Sequence, residues 1–240
     1  MKIVSPYKPF APESEPHRKL GAFDWCGALA IMADSVTRAC GCRTVALSDE
    51  TTALPIDAYR FPTSEPRLML WILEVSLAYL ESPHFDDDTV LVSPDIIVLD
   101  ELAPYFGGDL TILIRTGDKF RDRPIMNGMQ WWRRASRTRL VAFYLRALAV
   151  ARALPDDIIA WGADSDAIRV LLEPTSLGVH ERSGCHVSMV EAESVLLPLS
   201  GQMMRAVDKG RALVRPSAPA IDFKYASRKP YLSRVWKALQ

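Results

Sequence analysis

No run of apolar residues in this 240-residue chain approaches the roughly 18 needed to cross a bilayer. The longest candidate, Leu68 to Leu80, is too short and is interrupted by Glu74. The N-terminus offers Lys2 but then Pro6, Lys8, Pro9 and Pro12, which leaves no apolar core for a signal peptide. A soluble, cytoplasmic protein with no membrane span is expected. Four cysteines, at positions 26, 40, 42 and 185, are too few and too scattered for a disulfide framework. Cys40-Gly41-Cys42 with Cys185-His186 matches no common zinc spacing, so free thiols are expected. Glycine-rich phosphate loops of the Walker and dinucleotide types are both missing, which removes the main support for an ATPase or a dehydrogenase. There is no Gly-x-Ser-x-Gly elbow, and the four histidines are too far apart for an i, i+4 metal pair.

What is present is a core. Hydrophobic residues make up 49% of the chain and charged residues 24%, which excludes disorder over most of its length. The net charge is zero but unevenly spread. Glu81 to Asp109 holds eight acids and no Lys or Arg, whereas Arg115 to Arg152 holds ten basic residues against Asp118 and Asp122. Arg205 to Gln240 holds nine basic residues against Asp208 and Asp222. Such segregation is that of solvated faces or of a cation site beside an anion site.

Strand and helix signals alternate. Lys2 to Pro6 reads as a first strand. Asp24 caps a helix with Trp25, Leu29, Met32 and Val36 on one stripe, and Gly41 stops it. Arg43 to Ser48 and Ala58 to Phe61 read as strands. Glu65-Pro66 opens a second helix with Leu68, Trp71, Ile72, Val75, Ala78 and Tyr79 inward. Thr89 to Val92 and Ile96 to Leu99 are two apolar runs broken by Ser93-Pro94-Asp95. Continuous apolar strands belong in sheets covered on both faces, and the polar break marks the place where the backbone leaves the ladder. Leu110 to Arg115 is another buried strand, and Ser136 to Leu154 a helix ended by Pro155. The fold class is therefore α/β, with helices flanking a mixed, mostly parallel sheet and ligands at the C-terminal ends of the strands. Residues 1–204 form the catalytic domain in this reading, and 205–240 a basic segment folding back over it.

Four short segments carry chemistry in order: Ser93-Pro94-Asp95 after a strand, Asn127-Gly128, the stretch from Ile159 through Trp161-Gly162-Ala163-Asp164-Ser165-Asp166 to Ala167, and Ile221-Asp222-Phe223-Lys224 running on to Arg228-Lys229-Pro230-Tyr231. In this order and spacing they resemble the GT-A fold glycosyltransferases, particularly the glycogenin-like and galactosyltransferase-like group. That family has a strand ending in a DxD motif, an Asn-x-Gly segment, a further acidic segment and a closing His-Phe-x-Gly-x-x-Lys-Pro-Trp. Here Ser93 stands at the first DxD aspartate, Asp95 at the second, Asp222 at the closing histidine and Ser165 at the usual glutamine.

The resemblance implies transfer of a sugar from a nucleotide-diphosphate donor, such as a UDP-sugar, to a hydroxyl acceptor. It implies Mn²⁺ or Mg²⁺ held by Asp95 and Asp222, with Ser93 assisting, since hard cations take oxygen ligands and act as Lewis acids on a departing diphosphate. Lys224, Arg228 and Lys229 would meet the diphosphate, and Arg67 would reach the donor. Ser5, Tyr7 and Asp49 would hold the nucleoside, with Asn127 and Gly128 under the sugar. Asp164 is the acid nearest the reacting carbon, as general base or as a group orienting donor hydroxyls. Trp131 beside Arg133 and Arg134 could form a patch for an anionic acceptor. A hydroxymethylated base in viral DNA is one candidate, and sugar, lipid-linked sugar and protein acceptors are others. The same tryptophans and arginines also suit a buried core and a solvated helix face. Rival readings are a nucleotidyltransferase and an inactive relative that binds nucleic acid or a protein partner.

Overall fold

Strands that are apolar at consecutive positions must be covered on both sides, and β1 (Lys2–Pro6), β4 (Thr89–Val92) and β6 (Leu110–Ile114) are buried along nearly their whole length. In a computed structural model describing residues 1–9, 23–117, 120–155, 162–173, 176–223 and 227–240, they lie inside a mixed sheet. Its other strands are β2 (Thr44–Ser48), β3 (Ala58–Arg60), β7 (Ile125–Trp132), β8 (Gly178–Arg182) and β9 (Cys185–Glu191). The order is β3-β2-β1-β4-β7-β6-β9-β8. β3, β2, β1 and β4 run parallel, as do β6 and β9, while β7 is antiparallel to β4 and β6.

One face is covered by α2 (Leu68–Glu81), α3 (Arg137–Arg152) and α4 (Ala163–Leu172). α2 is buried well beyond its expected stripe, with Leu70, Leu73, Leu77 and Leu80 also inside, because it is packed between the sheet and its neighbouring helices. It starts at Leu68, just after Pro66, rather than at Glu65. α1 (Trp25–Cys40) covers the other face. The Asp24 carboxylate accepts from Gly27 N at its start, and Gly41 ends it with a left-handed φ of 62°.

A second sheet was hidden in the sequence. β5 (Ile96–Val98) pairs antiparallel with β11 (Ala220–Asp222), which pairs parallel with β10 (Leu196–Pro198). Ser93-Pro94-Asp95 is thus the step by which the chain leaves the large sheet for the small one. Ser93 N still donates to Gly128 O of the large sheet at 2.8 Å, while Asp95 O already accepts from Phe223 N of the closing segment at 3.0 Å. Ile97, Ile221 and Phe223 pack against Leu232 and Val235 of α5 (Leu232–Leu239) in a core of their own. The C-terminal segment therefore enters the fold through a strand and an apolar helix face.

At the opposite end of the large sheet, Asp109 is 6% exposed and accepts from Ser136 Oγ, from Arg139 Nε at 2.7 Å and from His186 N at 2.9 Å. Burial pushes its pKa up, but the Arg139 and Ser136 hydrogen bonds outweigh this and hold it well below the ordinary carboxylate range. A folded-state pKa below the unfolded one contributes stability above the unfolded value of about 3.9, and that stability is lost as pH falls further. Asp109→Asn should destabilise the chain by about 2 kcal/mol, a Tm loss of roughly 4–8 °C at this length. Thermal melts between pH 7 and pH 3 should show a shallower acid dependence in the variant than in the wild type.

Candidate functional site

The step after β4 opens a cleft at the C-terminal edge of the parallel strands, where open α/β sheets place their ligands. Its volume is about 1070 Å³, counting the space open to solvent at its mouth. Of the residues expected to act, Tyr7, Ser93, Asp95, Asn127, Gly128, Asp164, Asp222 and Lys229 line it together. The four motif segments and Tyr7, at the end of β1, thus converge. The β5–β11 register sets Asp222 opposite Ile96, one residue from Asp95.

Two clusters of polar groups line the cleft. In the first, the Lys229 ammonium is 2.5 Å from Asp95 Oδ2, and Ser93 Oγ donates to Asp95 Oδ1 at 2.6 Å. Lys229 is 2% exposed. Its charge is also covered by aromatic faces, with Nζ 4.1 Å from the Trp25 ring centroid and 5.5 Å from that of Phe23. Burial pushes the Asp95 pKa up, but the Lys229 charge and hydrogen bond, joined by Ser93, leave it lowered overall.

In the second cluster, Asn127 Nδ2 donates to Asp164 Oδ2 at 2.5 Å. The other end of that amide, Oδ1, accepts from Gln130 Nε2. Gln130 Oε1 accepts in turn from the buried Tyr144 hydroxyl and from Trp132 Nε1 at 3.1 Å. Trp132 and Tyr144 belong to the core, so the chain of donors fixes which way the Asn127 amide points. Burial drives the Tyr144 phenol far above its ordinary range, which keeps it a donor. Asp164 lies in the first turn of α4, where the helix dipole favours a negative charge. Gly162 precedes it at φ 130°, a conformation that L side chains rarely adopt.

Several assignments are corrected. Trp131 is wholly buried and donates Nε1 to Leu102 O at 2.8 Å, so it cannot stack on an acceptor. Arg133 binds Asp88 Oδ2 at 2.7 Å and lies over the Phe106 ring, and Arg134 N donates to Asp88 Oδ1. Trp132 pairs with Thr89 at the start of β4, which puts Arg133 and Arg134 at the far edge of the sheet from the cleft. Asp49 folds its carboxylate onto Thr51 N and Thr52 N, capping its own loop. Arg67 forks onto Glu65 with contacts of 2.7 and 3.0 Å. Ser5 is buried inside β1, and Arg228 precedes Lys229 without lining the cleft. Lys224 lies outside the described residues. Gly128 is tightly packed, since a Cβ there would sit 3.1 Å from Ile96 Cδ1 and that side chain would have to give by a few tenths of an ångström.

Some of the lining went unread in the sequence. Trp25 reads as a core residue on the α1 stripe, yet it is half-buried and lines the cleft with its ring over Lys229. Lys8, Leu68, Met69 and Ile72 also line the cleft. Burial and the neighbouring Cys26 push the Tyr7 phenol up to about 12, so Tyr7 stays neutral.

A hard dication needs several oxygen lone pairs. Here both Asp95 oxygens already accept, one from an ammonium, and Ser93 spends its hydroxyl proton on the same carboxylate. Among the described residues no three of His, Cys, Asp and Glu converge to hold a metal ion. The donor set around Asp95 therefore does not fit the Mn²⁺ or Mg²⁺ that the sequence resemblance implied. Also among the described residues, no helix is long and apolar enough to cross a membrane.

No family model matches the chain, and no curated protein does. Solved structures do. A glycosyltransferase involved in the glycosylation of the major capsid of PBCV-1 superposes with a TM-score of 0.54 at 10% identity, over 97% of this chain and 98% of its own. The glycosyltransferase GlyE of Streptococcus pneumoniae TIGR4 gives 0.60 at 9% identity, over 100% of this chain and 60% of its own. The galactosyltransferase LgtC, in complex with donor and acceptor sugar analogs, gives 0.51 at 10% identity, over 100% and 96%. Likeness of this extent at so low an identity is a likeness of fold, and the chain has a GT-A-like glycosyltransferase fold.

Proposed function

We propose that this protein transfers a sugar from a nucleoside-diphosphate donor to a hydroxyl group of an acceptor. The observation that carries the reading is the presence, in the lining of one cleft, of a buried ammonium and a positioned carboxylate. A departing diphosphate needs a cation at its oxygens, and a sugar carbon losing its leaving group gathers positive charge that a nearby carboxylate stabilises. Lys229 and Asp164 supply these two charges. The bond from the sugar carbon to the diphosphate breaks and a bond to the acceptor oxygen forms. The acceptor hydroxyl passes its proton to the Asp164 carboxylate, acting as general base, and the nucleoside diphosphate leaves as an anion.

Asn127 holds the Asp164 carboxylate, and Gln130 holds Asn127. Tyr7, at the end of β1, and the apolar side of α2 form the wall against which the nucleoside would lie. The acceptor would reach the cleft from its open mouth. A DNA acceptor has lost the aromatic–arginine patch that supported it.

The reading is tested by hydrolysis and transfer assays over a panel of sugar nucleotides. Asp164→Asn should lower turnover by about 10²- to 10⁴-fold, the range for loss of a positioned acid or base, with nucleotide binding retained. Loss of nucleotide binding together with turnover would remove Asp164 from the reacting centre. Gln130→Leu, which withdraws the donor that orients Asn127, should lower kcat by about tenfold with a much smaller change in KM. A change confined to KM would show that Gln130 does not act through Asp164.

A further inference from the structure

We infer that Lys229 occupies the place in this fold that a divalent cation would take, so that the diphosphate is bound and released without metal. The inference rests on the donor reading above and deepens it. The sequence puts a serine where the family carries its first metal-binding aspartate, and the structure shows what that serine does. Ser93 donates to Asp95 Oδ1 at 2.6 Å and so helps to orient the one carboxylate left in the motif. The other oxygen of that carboxylate faces Lys229 Nζ at 2.5 Å, across 134 residues of sequence.

Three features make this lysine a fixture of the site. It is 2% exposed, in a short 3₁₀ turn (Lys229–Tyr231) with Pro230 at its second position. Its charge is boxed by the Trp25 and Phe23 rings, which meet edge to face at 4.9 Å between centroids. The turn is anchored on both sides, by β11 before it and by α5 directly after it, each packed into the same apolar cluster.

A buried ion pair is a weak source of stability, because desolvating two charges offsets much of their attraction. Its placement in the cleft is therefore better explained by ligand binding. An ammonium has three N–H donors. Asp95 takes one, and Lys229 lines the cleft where a diphosphate would enter. A dication brought to Asp95 would stand beside this ammonium and be repelled by it, whereas diphosphate oxygens would be attracted. Lys8 lines the same cleft and adds a second ammonium.

The test is calorimetric titration of UDP, GDP, ADP, CDP and dTDP into the wild type, Lys229→Met and Lys229→Arg, each in excess EDTA and in saturating MnCl₂. The wild type should bind at least one of these with affinity that agrees within about twofold between the two conditions. Lys229→Met should weaken that binding about tenfold or more in EDTA, the loss of a charge-assisted contact, and Lys229→Arg should recover part of it. Binding by the wild type only in MnCl₂ would overturn the inference while leaving the donor reading intact. Absence of binding to any of the five in both conditions would overturn the donor reading and the inference with it. Because the wild-type comparison decides by itself, a poorly folded Met variant would not blunt the test.

Discussion

The antiparallel pairing of β5 with β11 is the constraint on which the site depends. β5 is a three-residue strand that begins where the chain has just left the large sheet, and β11 arrives more than a hundred residues later. Their ladder, prolonged by the Phe223 N to Asp95 O hydrogen bond, fixes the closing segment against the polar break. Without it Asp222 and Lys229 would have no defined relation to Asp95. The apolar cluster beneath, from Ile97 through Phe223 to Val235, gives this pairing its driving force, since short strands gain little from hydrogen bonds alone. Gly128 packs against the start of the same strand, since a Cβ there would come within 3.1 Å of Ile96 Cδ1.

The electrostatics of the cleft follow from that geometry. Burying Lys229 is tolerable only because Asp95 and two aromatic faces replace the water it loses. Asp164 is treated in the same way by different means, through an amide whose orientation is dictated by Gln130 and, behind it, by Tyr144 and Trp132 in the core. Lys229 and Asp164 are thus both tied to the packed interior. That arrangement suits a reaction in which opposite charges develop a few ångströms apart.

Much of this could be read from the chain before any coordinates. The break at Ser93-Pro94-Asp95 is legible because proline and two polar residues interrupt apolar strand on both sides. The order of the four segments carries the fold, and Asp95, Asn127, Asp164, Asp222 and Lys229 do meet in one cleft. What could not be read has physical causes. β7 holds Asn127-Gly128 amid apolar residues, and an Asn-Gly pair looks like a turn until its neighbours are known. Trp131 and Trp132 beside arginines look like a binding patch. Strand alternation sends the two indoles into cores on opposite faces of the sheet, and register carries the arginines to its far edge. Trp25 sits at a core spacing on α1, and only the return of Lys229 reveals it as a cation's cover. Asp49 and Arg67 look like site residues by their position in the sequence. Each finds a nearer partner in its own loop, where a local contact costs less chain entropy than reaching a ligand.

A crystal structure of the wild-type protein with a non-hydrolysable sugar-nucleotide analogue, grown in EDTA, tests the central claim most directly. The account predicts a diphosphate in contact with Lys229 Nζ and a sugar beside Asn127 and Asp164. A nucleotide bound elsewhere on the surface, or a diphosphate in the cleft with Lys229 turned away from it, would contradict the account.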